Sequence, residues 1–181
     1  MERLSHEFDC SVIMGMRDRL NMVFLEVTRP ARSPIAVNTD AGSALPITAT
    51  AIGLAYLVSA PLSERAELLE ALRADHDGDW KLVRQRIEKA YASYHRHGYV
   101  LNERSWSRDV NAVATPLTYK GANNIYSFMC GGPSQTMNRR RLAEIGPRLV
   151  QTVAQIRAEL QRTPIPRLPE DGPPHCQRPK P

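Results

Sequence analysis

Apolar positions along this chain change period twice, and the changes mark out its elements. Cys10-Ser11-Val12-Ile13-Met14-Gly15-Met16-Arg17 and Met22-Val23-Phe24-Leu25-Glu26-Val27 are β-prone runs on either side of Asp18-Arg19-Leu20-Asn21, which predicts a hairpin. A further strand is predicted over 34–38. The period then lengthens. Residues 48–59 are short-stepped and rich in Ala and Leu, and Pro61-Leu62-Ser63-Glu64 opens a second helix with Ser63 as its candidate cap. A third helix runs from Asp77 or Asp79 to His95, with Trp80, Val83, Ile87, Ala90, Tyr91 and Tyr94 at steps of three and four, and Gly98 stops it. Strands follow at 99–103, 110–117 and 123–130, with Lys120-Gly121-Ala122-Asn123 as turn-forming residues. Gly131-Gly132-Pro133 reads as the turn into a last helix carrying Leu142, Ile145, Leu149, Val153, Ile156 and Leu160. Bunched strands with hairpin-like links indicate an α+β protein with an antiparallel sheet rather than alternating βαβ units.

Length and composition narrow the picture. A chain of 181 residues fits one domain and buries enough surface to need neither metal nor disulfides. Cys10, Cys130 and Cys176 are odd in number and irregularly spaced, so they encode no disulfide framework or zinc knuckle, and a reducing, cytoplasmic setting is expected. No apolar run approaches a membrane span, and the first residues lack the apolar core of a signal peptide. Half of the 14 prolines fall in 164–181, a stretch with scarcely any apolar residues, which predicts a Pro-rich disordered tail beyond a domain over 1–163. The net charge of +5 raises the question of nucleic acid. Its only dense basic run, Arg139-Arg140-Arg141, opens an amphipathic helix and reads as a solvated face.

Chemistry-bearing motifs are few. Gly-x-Ser-x-Gly, His-Glu-x-x-His and phosphate-loop signatures are missing, which argues against an enzyme. His95 and His97 point to different sides of a helix end, and Asp75, Asp77 and Asp79 lack the spacing of a calcium loop, so no metal or other cofactor is expected. Gly131-Gly132-Pro133-Ser134 has no following Lys and suits a turn better than a phosphate cradle. Thr48-Ala49-Thr50-Ala51-Ile52-Gly53 admits two readings. Small residues at a helix start leave backbone N–H groups open to a carboxylate, but the same residues also suit a helix packed tightly on a sheet.

Taken together, Leu45-Pro46-Ile47-Thr48-Ala49-Thr50-Ala51-Ile52-Gly53, Gly98-Tyr99 with Ala114-Thr115-Pro116, and Gly131-Gly132-Pro133 resemble the effector-binding domain of IclR-type bacterial transcriptional regulators, over about residues 4–160. The resemblance implies a GAF-like or profilin-like domain, with a curved antiparallel sheet of about six strands flanked by helices around a pocket for small organic acids. It implies that the N–H groups of Ala51 and Ile52 hold the effector carboxylate, that Val37, Leu45 and Val110 form an apolar wall, and that Asn102, Ala112, Met129 and Gly131 occupy the remaining shell. In the family those last four places hold an Asp, a Cys and two serines. Losing a thiol and two hydroxyls predicts a roomier, greasier pocket for an acid larger and more apolar than pyruvate, aromatic or longer-chained. The family further implies a homodimer or tetramer whose effector modulates oligomerisation and DNA binding. DNA would be read by a winged helix-turn-helix domain for which this chain has no room. The rival expectations are a dimerisation module with a filled pocket, an enzyme on the same scaffold using Asn102 as part of an anion hole, and nucleic-acid binding through Arg139 to Arg141.

Overall fold

The computed structural model describes residues 1–30, 40–76, 79–119 and 124–162. The strand expected over 34–38, the turn at 120–123 and the tail at 164–181 lie outside these residues.

The hairpin forms as predicted. Strands β1 (Ser11–Asp18) and β2 (Asn21–Thr28) pair antiparallel, with Arg19 at φ 52 supplying the left-handed turn and a register shift between Met14 and Gly15 bending the ribbon. A short β3 (Ala44–Pro46) adds to the outer edge of β2. Helices α2 (Ala51–Ser59), α3 (Leu62–Asp75) and α4 (Trp80–His97) follow, and then β4 (Val100–Glu103), β5 (Val110–Leu117), β6 (Tyr126–Pro133) and α5 (Arg139–Arg162). The chain starts with α1 (Glu2–Phe8), which the sequence reading did not anticipate. The six strands form one sheet in the order β3-β2-β1-β6-β5-β4, antiparallel throughout and curled into a half-barrel. The α+β class and the flanked antiparallel sheet agree with expectation.

Three local expectations are corrected. Gly131, Gly132 and Pro133 are not the turn into the last helix; they end strand β6, paired with Ala112, Asn111 and Val110, and α5 begins only at Arg139. Ser63 caps nothing, because α3 starts one residue before it. Pro61 holds the cap position, where its missing N–H costs nothing. Asp79 does precede α4, but its side chain makes no capping bond and its carbonyl accepts from Leu82 and Val83 instead. Gly98 ends α4 at φ 77, as its place after the last helical residue predicts.

Period-two alternation gives the sheet two distinct faces. Val12, Val113, Phe128 and Cys130 point to one side, where they pack with Leu4 of α1 and with Leu142, Ile145, Leu149 and Val153 of α5. Cys10 and Cys130 are free thiols in this core; the hydrogen bond with Cys10, and then burial, push the Cys130 thiol well up. The other side carries Ile13, Ala112 and Ala114 beneath α2, a helix buried at every residue from Ala51 to Val58. Small residues allow α2 to come this close: a Cβ on Gly15 would lie 3.1 Å from the Ile52 side chain. Helices α3 and α4 complete this second core through Leu68, Leu72, Val83, Ile87 and Ala90. Among the described residues no helix is long and apolar enough to cross a membrane.

Candidate functional site

A cavity opens on the concave side of the sheet, beside the start of α2. Its floor follows from strand register. Asn102 of β4 pairs with Ala112 of β5, Ala112 pairs with Gly131 of β6, and Gly131 pairs with Ser11 of β1, so one row of side-chain positions crosses four strands and all four residues line the cavity. The next row, two residues along, contributes Ile13 and Met129. Phe24 and Val27 from β2 and Leu45 from β3 close one end of the half-barrel, while Val110 and Trp106 close the other.

The polar end is the first turn of α2. Thr50 caps the helix: its hydroxyl accepts from the Gly53 N–H at 3.2 Å and donates to the Pro46 carbonyl at 3.1 Å. The preceding loop folds back over this turn, and a Cβ on Gly53 would collide with the Ile47 carbonyl oxygen and come within 2.5 Å of Ile47 Cα, which is why glycine stands there. Thr48 extends the loop's ties to the end of α3, its hydroxyl 3.1 Å from His76 Nε2. With the Gly53 N–H taken by the cap, the N–H groups of Ala51 and Ile52 have no acceptor among the described residues. Asn102 braces the same turn from the sheet, its Nδ2 donating to the Ala49 carbonyl at 2.6 Å, while its Oδ1 makes no hydrogen bond to the described residues. The arrangement brings the Ala51 N–H and the Asn102 amide to one end of an otherwise apolar slot. Among the described residues no charged side chain lines it.

Of the residues expected at the site, Leu45, Ala51, Asn102, Val110, Ala112, Met129 and Gly131 all border this cavity. Ile52 does not border it; its side chain is fully buried in the core. Val37 lies outside the described residues. Thr50 and Gly132, members of two segments singled out in the sequence, border it as well, whereas Ser11, Ile13, Phe24, Val27 and Trp106 were not anticipated. Alternation from Ser11 to Ile13 could have signalled the β1 pair, whereas no spacing rule reaches Trp106 in its loop. The cavity measures about 40 Å³, where a single ordered water needs roughly 10–15 Å³. A Cβ on Gly131 would sit 3.2 Å from the Ala112 Cβ and 3.3 Å from the Asn111 carbonyl oxygen, so glycine lets the two strands lie close at this point.

The basic run does not form a free cationic surface. Arg139 pairs with Glu103 at 2.8 Å, Arg140 and Arg141 both approach Glu144, and Arg141 also donates to the Phe8 carbonyl. The Glu103 hydrogen bond raises the Arg139 pKa.

A curled antiparallel sheet with an amphipathic slot against a helix start defines a ligand-binding type of α+β domain. The chain belongs to the IclR family: the pattern of the bacterial transcriptional regulator IclR C-terminal domain matches residues 1–158. A helix-turn-helix transcriptional regulator of Comamonas testosteroni, TsaQ1/TsaQ2, is 41% identical over 170 residues, which are 93% of this chain and 61% of that protein. An IclR family transcriptional regulator from Brucella abortus matches with a TM-score of 0.83 at 34% identity, over 88% of this chain and 60% of its own. The IclR-type regulator of Alicyclobacillus acidocaldarius shares the fold, with a TM-score of 0.69 at 14% identity over 87% of this chain and 63% of its own. The chain therefore carries the C-terminal, effector-binding type of domain of these transcriptional regulators and spans about 60% of the relatives' length.

Proposed function

We propose that this domain senses a small organic carboxylate and passes the signal to a DNA-reading domain of the full-length regulator, changing its oligomeric state and DNA binding in the cytoplasm. The observation that carries the reading is the first turn of α2, where the N–H groups of Ala51 and Ile52 have no acceptor among the described residues and Ala51 borders the apolar slot. Helix dipole and donor geometry both favour an anion there. Apolar walls favour an acid larger and less polar than pyruvate.

The test is calorimetry on the chain and on Ala51→Pro. Ala51 is the first helical residue, where proline is tolerated, and Thr50 before it is already extended at φ −112 and ψ 148. The substitution removes one donor and leaves the helix. Loss of a hydrogen bond to a charged group costs about 1.5–3 kcal/mol, so affinity for the best carboxylate should fall roughly 10–100-fold while the melting temperature stays close to that of the parent. Undiminished affinity would place the carboxylate elsewhere.

The narrowness of the cavity favours a second reading, a dimerisation module with a filled pocket. In that case no carboxylate in a thermal-shift panel would raise the melting temperature, whereas a ligand at a hundred times its Kd should add about 2.7 kcal/mol.

A further inference from the structure

Trp106 is one of the lining residues outside the set that the family resemblance supplies. It stands in the six-residue loop 104–109 between β4 and β5 and is 38% exposed, yet it borders the cavity. The other exposed large apolar side chains, Leu25, Leu62, Leu82 and Leu160, do not. A half-exposed tryptophan over an apolar slot contacts solvent at a cost that a covering ligand would relieve.

The loop's anchorage sets what can move. Its two ends are tied down: the Arg104 N–H donates to the Val110 carbonyl and to Asn111 Oδ1, both at 3.1 Å, and the Asp109 carbonyl accepts from the Ser134 N–H at 2.7 Å. Arg104 itself sits at φ 57. On one side of Trp106 the Ser105 hydroxyl makes only a long bond of 3.4 Å to the Glu103 carbonyl; on the other, Ser107 accepts from the Val110 N–H at 3.2 Å and, through its hydroxyl, from the Asp109 N–H at 3.3 Å, so the backbone turns tightly while the Trp106 indole N–H has no partner among the described residues. A ring does not fit in about 40 Å³, so a ligand with a ring must displace a wall. Phe24 at 1% and Ala51 at 1% exposure are locked in the core, whereas Trp106 has solvent on one side.

We propose that Trp106 is the specificity wall of this cavity, swinging out to admit an aromatic monocarboxylate and closing as a stacking plane on its ring. This rests on the sensor reading above. The acid's carboxylate would be held at the start of α2, where Ala51 borders the cavity, and its ring would lie between Trp106 at one end of the half-barrel and Phe24 at the other. The described walls carry no charge, so they give a second anionic group on the ligand no compensation and favour a monoanion.

Phenylacetate, cyclohexylacetate and pyruvate separate the possibilities, since the first two match in length and charge and differ in the flat ring. Calorimetry on the full chain should show phenylacetate binding about tenfold tighter than cyclohexylacetate. Trp106→Ala should abolish that preference by weakening phenylacetate about tenfold while changing cyclohexylacetate little, and Trp106→Phe should retain most of it. The chain has two tryptophans, so in a Trp80→Phe background Trp106 is the sole fluorophore, and saturating phenylacetate should shield it from acrylamide. Equal affinity of the parent for the two ring acids, an undiminished preference in Trp106→Ala, or unchanged quenching would overturn the role of Trp106 and leave the sensor standing. Silence towards all three acids, pyruvate included, would overturn both.

Discussion

The two faces of the sheet differ at one place, the start of α2. On the α5 side, Leu142, Ile145 and Leu149 are fully buried against Val113 and Cys130, and Gly146 lets the helix lie close on Tyr99, whose ring a Cβ would meet at 2.5 Å. The α2 side also holds large, fully buried side chains, Phe24, Ile52, Leu54 and Leu57 among them, but the residues that meet at the helix start, Ala51, Ala112 and Gly131, are small. A face filled by side chains along its length has little left to adjust. A face with small residues at a helix start leaves a slot there, and α2 starts beside the row of Asn102, Ala112 and Gly131. Stability and ligand access thus use different faces of the same strands.

The sharpest way to break this division is Leu149→Ala, which removes a fully buried side chain from the α5 face. It should cost about 2–5 kcal/mol, read as a drop in the denaturation midpoint, while carboxylate affinity measured well below the melting temperature stays within about twofold. A larger loss of affinity would mean that the faces are coupled through the strands. Gly53→Ala makes the complementary claim. Its Cβ has only backbone to collide with, so the loop from Ile47 to Thr50 must shift, at about 1–3 kcal/mol. The smaller stability cost should come with the larger binding loss, at least tenfold by calorimetry, because the Ala51 and Ile52 donors move with the loop.

Asn102→Asp sharpens the comparison with a near-isosteric change. The amide that now donates to the Ala49 carbonyl becomes a carboxylate that cannot, at a residue 8% exposed. The cost should be about 1–3 kcal/mol near neutral pH. Burial raises the pKa of a carboxyl here, against Arg86, Lys89 and Arg139 of a neighbouring groove that Asn102 also borders, and only the protonated acid can donate to Ala49. With burial the larger effect, the destabilisation is full above the raised pKa and is relieved as pH falls from there towards the ordinary carboxylate pKa. Thermal melts at pH 7 and pH 5 check the sign; an equal deficit at both would show that the groove's cations offset burial, and no deficit at either that the brace is dispensable.

Much of this division could be read from the sequence, because strand alternation and motif spacing are both local. Asn102, Ala112 and Gly131 follow from the family resemblance, by their distances from its motifs, and register sets them side by side. Counting failed where packing overrides punctuation. Gly131-Gly132-Pro133 looks like a turn, but a Cβ on Gly132 would meet the Met137 side chain at 3.2 Å, and Pro133 stands at the strand's end, where its missing N–H is tolerated. Helix α1, at seven residues, is too short to show a helical period, and it is held by Leu4 in the α5 core and by the Ser5 hydroxyl donating to the Cys10 carbonyl at 2.8 Å. Trp106 stayed hidden because loop conformation, not periodicity, brings it to the slot.

The smallest expected effect tests whether the α2 face is itself divided. Away from the slot, the Tyr56 hydroxyl accepts from Arg17 Nε at 2.9 Å and donates to the Glu64 carboxylate, which Arg17 Nη2 also reaches at 2.8 Å, so β1, α2 and α3 are stapled together. Burial, and then the bond to Glu64, push the Tyr56 pKa up to about 12. An unfolded tyrosine titrates near 10. Between these values the unfolded chain gives up its proton first, so the stabilisation is fully present below about pH 10 and is lost as pH rises towards 12. Tyr56→Phe should cost about 1 kcal/mol at pH 8, and the gap from the parent should narrow between pH 10 and 11. A gap unchanged with pH would show that the phenol is not held in its neutral form. Carboxylate affinity should stay within about twofold; a greater loss would mean that the staple and the slot form one unit, and that α2 transmits strain along its whole length.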